Sequence, residues 1–457
     1  MHTYKVKDFG AVADGLTLDT PAVQRAVDTC FANGGGRVVF ERGDFVLGTV
    51  FLKSGVRIEI AENARILGSL NFYDFAQEEK IDYPIYQDSS HTYFHLSMFV
   101  GLDCENIAIV GKGSIDMRSI WDEDGVRGTA IKHRGPKCIA LKNCKNVEIG
   151  GMRMDNVTDL AVYFAGCENV DIHDIAMRVY IDGISPDNSK NVRIWNCEVE
   201  AGDDAIVFKS SYTLNRLDIC KDIRVWNCKL KSRCNAIKFG TETNGGFENI
   251  LIEDIEIRET RITGISVESV DGAIVDGVTI RNVKMRNVNA PIFVHIGKRM
   301  RGPAGREIGR IRNLTFENIT AEGPYEPYEI MAWNYFSFKD GDFYQDPRVF
   351  GIAESFQITS PVDDWQMTSN ICGLKESVLE NITLRNVHFK LQGGVTEYKR
   401  EVPEEAQDYP EVYVYGRILP AKGVYFRYIN GLVLDNVTVE TIAPDTREDF
   451  VFASVKF

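Results

Sequence analysis

The fold is decided by two hexapeptides, Cys144-Lys145-Asn146-Val147-Glu148-Ile149 and Cys167-Glu168-Asn169-Val170-Asp171-Ile172. Each hexapeptide places a polar corner before a short apolar alternation, and related stretches recur along the chain. These related stretches begin at Cys104, Lys190, Lys221, Glu248, Arg312, Glu380 and Asn430. Short β-branched strands interrupted by Asn, Asp and Gly are typical of a coil with sharp corners.

The repeat length sets the architecture. Repeats of about 20–30 residues are too short for a strand–helix–strand crossover. They show no helical periodicity. We therefore predict an all-β, single-domain right-handed parallel β-helix over residues 1–457, in which stacked turns share one core.

An N-terminal segment, 1–60, is predicted to form a cap and the first turns of the coil. Asp19-Thr20-Pro21 begins a helix with a capping residue and an early proline. The helix stops at Gly34-Gly35-Gly36, and a strand resumes at Arg37. Its apolar side consists of Val23, Ala26, Val27 and Cys30. Such a cap covers strand edges that would otherwise favour aggregation.

Three stretches rich in aromatic, proline and charged residues break the repeat, at about 70–100, 323–378 and 391–420. They are either irregular connections or walls that line a groove, with aromatic side chains available to stack on sugars. In the second case, bulky insertions at 323–378 and 391–420 would favour attack at a chain end. The aromatic residues in question are Trp333, Tyr335, Phe336 and Trp365.

Composition excludes some functions. The net charge of −14 argues against a protein that binds nucleic acid or anionic membranes. No apolar run reaches membrane-spanning length. The chain enters structure without a signal peptide, so we expect either an intracellular protein or a secreted or periplasmic one whose export signal was removed. The ten cysteines are interpreted mainly as small buried hydrophobic residues, with disulfides left open.

Several Asn-x-Thr triplets resemble glycosylation acceptors. They lie on repeat corners, so we favour side-chain stacking inside the coil. The asparagines are Asn156, Asn313, Asn318, Asn381 and Asn436.

Asp182, Asp203 and Asp204 are the candidate catalytic residues. Asp182 precedes Asp203 by 21 residues, which is 203 minus 182 and matches one repeat. Because neighbouring strands lie about 4.8 Å apart, the three carboxylates would face one site. Glycosidic hydrolysis uses such groups as proton donor and as base, whereas an Asp-Asp pair at a polar corner is also common without chemistry.

Together, Gly202-Asp203-Asp204 and the preceding Asp182-Gly183-Ile184-Ser185-Pro186-Asp187 resemble the active-site signature of glycoside hydrolase family 28. This is the polygalacturonase family, and the resemblance implies its fold, a right-handed β-helix that forms a pectate-lyase-like solenoid. Asp8-Phe9-Gly10-Ala11, Gly111–Asp116 and Gly240–Gly246 extend the resemblance over most of the chain. The resemblance implies that Asp203 is the general acid and that Asp182 and Asp204 hold and deprotonate water, with inversion and without metal or cofactor.

The departures from the family pattern concern substrate binding. Tyr180-Ile181 stand where the family has Asn-Thr, and Asn235-Ala236 stand at its His-Gly motif. Ser266-Val267-Glu268 replace Arg-Ile-Lys, and Glu268 would repel a galacturonate carboxylate. We therefore expect a pectic or related polysaccharide or oligosaccharide other than classical homogalacturonan.

Eight residues are candidates for substrate binding. Six of them have a structural alternative: Lys209 and Lys238 as charges that balance the aspartates, Lys298 as a surface charge, His295 as a core histidine, and Glu242 and Tyr180 as corner residues. The set is Tyr180, Lys209, Asn235, Lys238, Glu242, Glu268, His295 and Lys298.

Two other functions stay open from the sequence. A β-helix polysaccharide lyase would use clustered carboxylates to hold calcium and a basic residue to accept the proton. A non-catalytic, carbohydrate-binding or adhesive β-helix would bind without turnover. The sequence leaves the oligomeric state undetermined.

Overall fold

Asparagine, which holds the corner of most repeats, adopts the left-handed backbone conformation there. Asn146, Asn169 and Asn191 have φ angles of 55°, 57° and 54°. Asparagine tolerates this region because its short polar side chain bonds locally, whereas most other residues clash there. A strand can therefore begin directly at each corner, as the repeat predicts.

The computed structural model describes residues 2–87, 89–120, 135–323, 326, 328–331, 336–339, 342–345, 357–359, 367–404 and 410–457. The chain forms two compact units. The first comprises Met1–Val199 with Thr213–Arg216, and the second comprises Glu200–Tyr212 with Leu217–Phe457. The single domain over 1–457 stays a prediction.

In the first unit, helix α1 spans Thr20–Ala32, and short 3-10 helices span Val6–Phe9, Phe72–Asp74 and Ser89–His91. The strands are β1 Thr3–Lys5, β2 Asp14–Leu18, β3 Gly36–Phe40, β4 Gly43–Leu47, β5 Val50–Phe51, β6 Val56–Ile60, β7 Ala64–Gly68, β8 Ser97–Leu102, β9 Glu105–Gly111, β10 Ser114–Asp116, β11 Lys137–Lys142, β12 Lys145–Gly150, β13 Arg153–Val157, β14 Val162–Ala165, β15 Glu168–His173, β16 Ala176–Val179, β17 Ile184–Asp187 and β18 Lys190–Trp195.

Strand β19, Glu198–Ala201, carries the chain into the second unit. The strands there are β20 Ile206–Ser210, β21 Ile219–Ser232, β22 Asn235–Thr243, β23 Gly246–Ser269, β24 Ile274–Ile296, β25 Arg310–Glu322, β26 Glu329–Met331, β27 Phe336–Lys339, β28 Asp342–Gln345, β29 Gln357–Thr359, β30 Ser369–Cys372, β31 Leu379–Gly393, β32 Ala421–Ala443 and β33 Glu448–Lys456.

Parallel pairing in the first unit follows the predicted repeat. Lys145 lies beside Glu168, and Glu168 lies beside Lys190. The corner asparagines are also bonded from turn to turn, since Asn169 donates to Asn146 at 2.9 Å. Equivalent residues of successive repeats therefore stack directly, which is the arrangement of a parallel β-helix.

Helix α1 buries the predicted apolar side, together with Ala22. The capping role predicted for Asp19 is wrong, because its carboxylate accepts from the backbone N–H of Val12 at 2.7 Å and of Ala13 at 3.1 Å. No cap hydrogen bond is made by the Asp19 side chain. The residue joins the helix to the preceding loop, and its burial raises its pKa.

Stacked rows run through the second unit as well. Ile223, Ile250, Val278, Leu314, Ile382 and Leu432 are successive partners in one buried row. The predicted series omits the turn at Val278, where Gly277 (φ 69°) occupies the corner position that asparagine holds in most repeats. Glycine reaches the left-handed region without a side-chain clash.

The three irregular stretches are partly described. In the stretch 323–378, β26 pairs with β29 and β27 with β28, both antiparallel. The aromatic side chains predicted there, at Trp333, Tyr335, Phe336 and Trp365, lie outside the described part of the chain. In the stretch 391–420, Val412 packs against Phe293 and Met367.

All ten cysteines are described, each with a free thiol, and nine are buried. The predicted stacking of the Asn-x-Thr asparagines is confirmed, since Asn381 donates to Asn313 at 3.0 Å. Asn156 is half-buried and the other four are exposed at the corners, so their predicted place inside the coil is wrong. Within the described residues, no helix is long and apolar enough to cross a membrane.

Candidate active site

Asp203 and Asp204 lie in the turn between β19 and β20, in the second unit. The Ser232 hydroxyl and the Asp203 carbonyl oxygen are hydrogen-bonded. The Ala205 N–H donates to the Asn235 carbonyl at 3.0 Å. Hydrogen bonds at Asp203 and at Ala205 thus join this loop to the next turn of the coil. The loop places a half-buried Asp203 next to a buried Asp204.

Asn235 fixes the carboxylate of Asp204. One oxygen, Asp204 Oδ1, accepts from the Asn235 backbone N–H at 3.1 Å and from Asn235 Nδ2 at 2.8 Å. Asn235 is fully buried at the start of β22. The prediction that Asn235 contacts substrate remains a prediction, and the structure gives it a direct contact with a candidate catalytic residue.

Lys238 lies among three carboxylates. Its Nζ is 2.5 Å from Glu411 Oε1, 3.6 Å from Glu268 Oε1 and 4.0 Å from Asp204 Oδ2. All four side chains are buried. A single ammonium cannot neutralise three carboxylates, so this cluster carries excess negative charge that favours retention of a proton.

Glu268 is the carboxylate whose proton affinity rises. Burial raises the pKa of Glu268 to about 7, the Lys238 ammonium lowers it, and the Glu411 carboxylate raises it. Its Oε1 accepts from the Ser266 hydroxyl at 2.7 Å. The side chain that replaces the lost cation is therefore paired with a lysine and retains a proton near neutral pH.

A second buried pair joins Lys209 and Glu242. Lys209 Nζ lies 3.1 Å from Glu242 Oε2 and 3.4 Å from the Gly240 carbonyl oxygen. Both side chains are at most 7% exposed. The pairing agrees with the charge-balancing alternative for Lys209, while substrate contact by either residue stays a prediction.

His295 and Lys298 have different surroundings. His295 is buried, its Nδ1 lies 2.8 Å from the Tyr415 hydroxyl oxygen, and its ring stacks on Phe293 at 5.5 Å. This environment agrees with a core histidine. Lys298 bonds the exposed Glu376 at 2.8 Å, which agrees with a solvated surface charge.

Asp182 and Tyr180 belong to the first unit. Asp182 is buried, and its Oδ2 lies 3.9 Å from His91 Nε2. Neither ring nitrogen of the buried His91 has a hydrogen-bond partner within the described residues. The Tyr180 hydroxyl oxygen lies 3.1 Å from Ser119 Oγ, and burial raises the Tyr180 pKa. The meeting of Asp182 with Asp203 and Asp204 stays a prediction.

Sequence reasoning missed Glu411 and His91. Both lie in stretches that interrupt the repeat, so no repeat register assigned them a neighbour. Glu411 stands 173 residues after Lys238, and only its place in an acidic, irregular stretch could have drawn attention to it.

Known proteins resemble this chain in both sequence and fold. The family model for Glycosyl hydrolases family 28 matches residues 37–330. An exo-poly-alpha-D-galacturonosidase of Dickeya chrysanthemi is 26% identical over 251 residues, which is 44% of this chain and 41% of the relative. A probable polygalacturonase of Vitis vinifera is 25% identical over 269 residues, 56% of this chain and 54% of the relative.

The chain therefore spans about half the length of the curated relatives it matches. A solved structure, an exopolygalacturonase from Thermotoga maritima, matches with a TM-score of 0.69 at 17% identity, and covers 96% of this chain and 92% of that chain. At this identity the likeness shows the fold, and the predicted right-handed parallel β-helix is confirmed.

Proposed function

Because the chain belongs to family 28 of the glycosyl hydrolases, we propose that it hydrolyses a glycosidic bond in a pectic or related polysaccharide or oligosaccharide. The observation that carries the proposal is the contrast between two adjacent carboxylates. Asp203 is half-buried and reaches solvent, whereas Asp204 is buried and hydrogen-bonded by Asn235. One group can meet substrate while the other is held in a fixed orientation, which suits a pair with distinct roles.

The proposed mechanism is inverting hydrolysis. Asp203 donates its proton to the leaving glycosidic oxygen as the bond to the anomeric carbon breaks. Asp182 and Asp204 hold a water molecule, and one of them takes its proton as the water oxygen bonds to the opposite face of that carbon. The sequence supports this joint role of Asp182 through the repeat interval and the family motif. The proposal requires no metal or cofactor.

The proposed substrate does not present a free galacturonate carboxylate near Lys238. The ammonium is already bonded by the Glu411 carboxylate, and the Asp204 carboxylate adds further negative charge. A carboxylate at about 4–5 Å from this cluster would be repelled. The names of the relatives favour a pectic backbone, so we propose a linkage next to a neutral, substituted or esterified sugar.

Attack at a chain end is also proposed. On the coil face that carries Lys238, the aligned residues Phe293, Asn370 and Tyr425 of the following turns are buried. Asn370 Nδ2 donates to the Val412 carbonyl at 2.9 Å, so the segment around Val412 lies over this face. A polysaccharide that passes Lys238 would meet this segment. Pectic polysaccharides lie outside cells, so the proposed substrate favours a secreted or periplasmic protein.

Product analysis tests the proposal. Wild-type protein is incubated with polygalacturonic acid, methyl-esterified pectin, xylogalacturonan and rhamnogalacturonan, and new reducing ends are measured. We expect cleavage of one substrate, with monomer or dimer as the first product and inverted anomeric configuration by proton NMR. Asp203→Asn should reduce the rate by about 10²–10⁴-fold. The exposed corner variant Asp254→Asn is the matched control and should retain activity.

Specific outcomes would contradict parts of this proposal. An unsaturated product that absorbs in the ultraviolet would indicate a lyase. Fastest cleavage of unesterified polygalacturonic acid would refute the neutral-sugar assignment. Binding without new reducing ends on any of the four substrates would favour a carbohydrate-binding function.

A further inference from the structure

We propose that Glu411 is a positioning residue for Asp204, and that it acts through Asn235 and Lys238. The inference rests on the proposed function, which gives Asp204 its role. Glu411 belongs to the irregular stretch 391–420, whereas its two partners lie on β22. A segment from the end of the chain thereby sets the geometry of a candidate catalytic carboxylate.

Contact with the amide of Asn235 is the first link. Asn235 Nδ2 lies 2.8 Å from Asp204 Oδ1, and it lies 3.4 Å from each carboxylate oxygen of Glu411. The amide nitrogen carries two hydrogens, so it can serve both carboxylates at once. Glu411 thus fixes the amide plane, and the amide plane directs a hydrogen bond at Asp204 Oδ1.

The ammonium of Lys238 is the second link. Lys238 Nζ is 2.5 Å from Glu411 Oε1 but 4.0 Å from Asp204 Oδ2, beyond hydrogen-bond distance. Glu411 therefore holds the ammonium away from Asp204. Without the Glu411 charge, the ammonium would move toward Asp204 Oδ2 and compete there with a water molecule.

The backbone that carries Glu411 is itself anchored. The neighbouring Val412 packs in an apolar cluster with Phe293, and its carbonyl oxygen accepts from Asn370 Nδ2 at 2.9 Å. The Val414 N–H closes a turn onto the Glu411 carbonyl at 2.8 Å. Because this backbone is held on both sides, the Glu411 carboxylate is fixed in place and can orient the Asn235 amide and the Lys238 ammonium.

The test compares Glu411→Gln with Glu253→Gln. Glu253 is a matched control because it is also a buried glutamate of the second unit, and its carboxylate is bonded by Arg224 and Arg281 instead of by the groups around Asp204. On the substrate that wild type cleaves fastest, Glu411→Gln should lower kcat by about 10–100-fold with KM changed less than about threefold. The pH dependence of kcat should also shift in Glu411→Gln, whereas Glu253→Gln should keep the wild-type kcat per folded molecule.

A crystal structure of Glu411→Gln gives a readout that needs no substrate. We expect Lys238 Nζ to move to about 3 Å from Asp204 Oδ2. Unmoved Lys238 and Asn235 side chains, or an unchanged kcat and pH profile, would overturn the inference. Should Asp204→Asn keep full activity in the same assay, the proposed function fails instead, and the crystal structure still decides whether Glu411 positions Asp204.

Discussion

The stability of the Glu268→Gln variant relative to wild type should increase as the pH rises from acidic to neutral. Burial raises the Glu268 pKa from 4.5 to about 7. A carboxyl group whose pKa is higher in the folded than in the unfolded protein favours folding while it is protonated. That stability is fully present below pH 4.5, the unfolded value, and is lost as the pH rises through about 7.

The size of the effect follows from the two pKa values. At about 1.4 kcal/mol for each tenfold change in proton affinity, the rise corresponds to about 3 kcal/mol of unfolding free energy. Glutamine keeps the shape and cannot ionise, so the variant escapes this loss. For a chain of this length, the difference corresponds to about 3 °C in the thermal midpoint.

The assay is thermal unfolding of wild type and Glu268→Gln from pH 4.5 to pH 8. The difference in midpoint should grow in favour of the variant as the pH rises. Glu253→Gln is a control of opposite sign: burial acts to raise the Glu253 pKa, but hydrogen bonds from Arg281 and Arg224 outweigh it and lower the pKa. That variant should lose most relative to wild type at neutral pH. A pH-independent difference for Glu268→Gln would refute the reasoning.

Two further changes test the ion pairs and the corners. Lys209→Met removes the lysine that is paired with the buried Glu242 carboxylate, and it should cost about 3–5 kcal/mol in urea unfolding. Lys298→Met, which removes the exposed pair with Glu376, should cause no measurable loss, and equal losses would contradict the burial argument. Asn313→Gly and Asn313→Val both lose the side-chain bonds to Asn381 and Asp276, but at φ 54° the valine variant should be less stable than the glycine variant by about 1–2 kcal/mol; equal stabilities would show that the corner backbone relaxes.

The repeat could be predicted because it depends on neighbours in sequence. An asparagine corner followed by alternating apolar residues determines where each strand begins and which side chains enter the core. The same pattern correctly places Lys145, Glu168 and Lys190 in register. The predicted series omits the turn at Val278, where Gly277 occupies the corner position.

The candidate site could be predicted only in part. The motif identified Asp203 and Asp204, and the comparison with the family pattern drew attention to Asn235, while Lys238 was named as a candidate for substrate binding or for balancing the aspartates. Glu411 could not be found because its position depends on how an irregular stretch folds back over the coil. Glu268 was expected to repel substrate as a free anion, whereas burial makes it a proton-retaining partner of Lys238.

The corner ladders of the second unit have a direction. Each amide nitrogen donates to the side chain of the preceding turn, and the series ends at an aspartate, which can only accept. Among the described residues, two such series run from Asn381 to Asn313 to Asp276, and from Asn436 to Asn386 to Asn318 to Asn282 to Asp254. The amide dipoles therefore align, with their positive ends toward a fixed anion, as at the start of an α-helix. A coil lengthened by design should thus gain asparagine turns on the C-terminal side and keep its aspartate at the first turn.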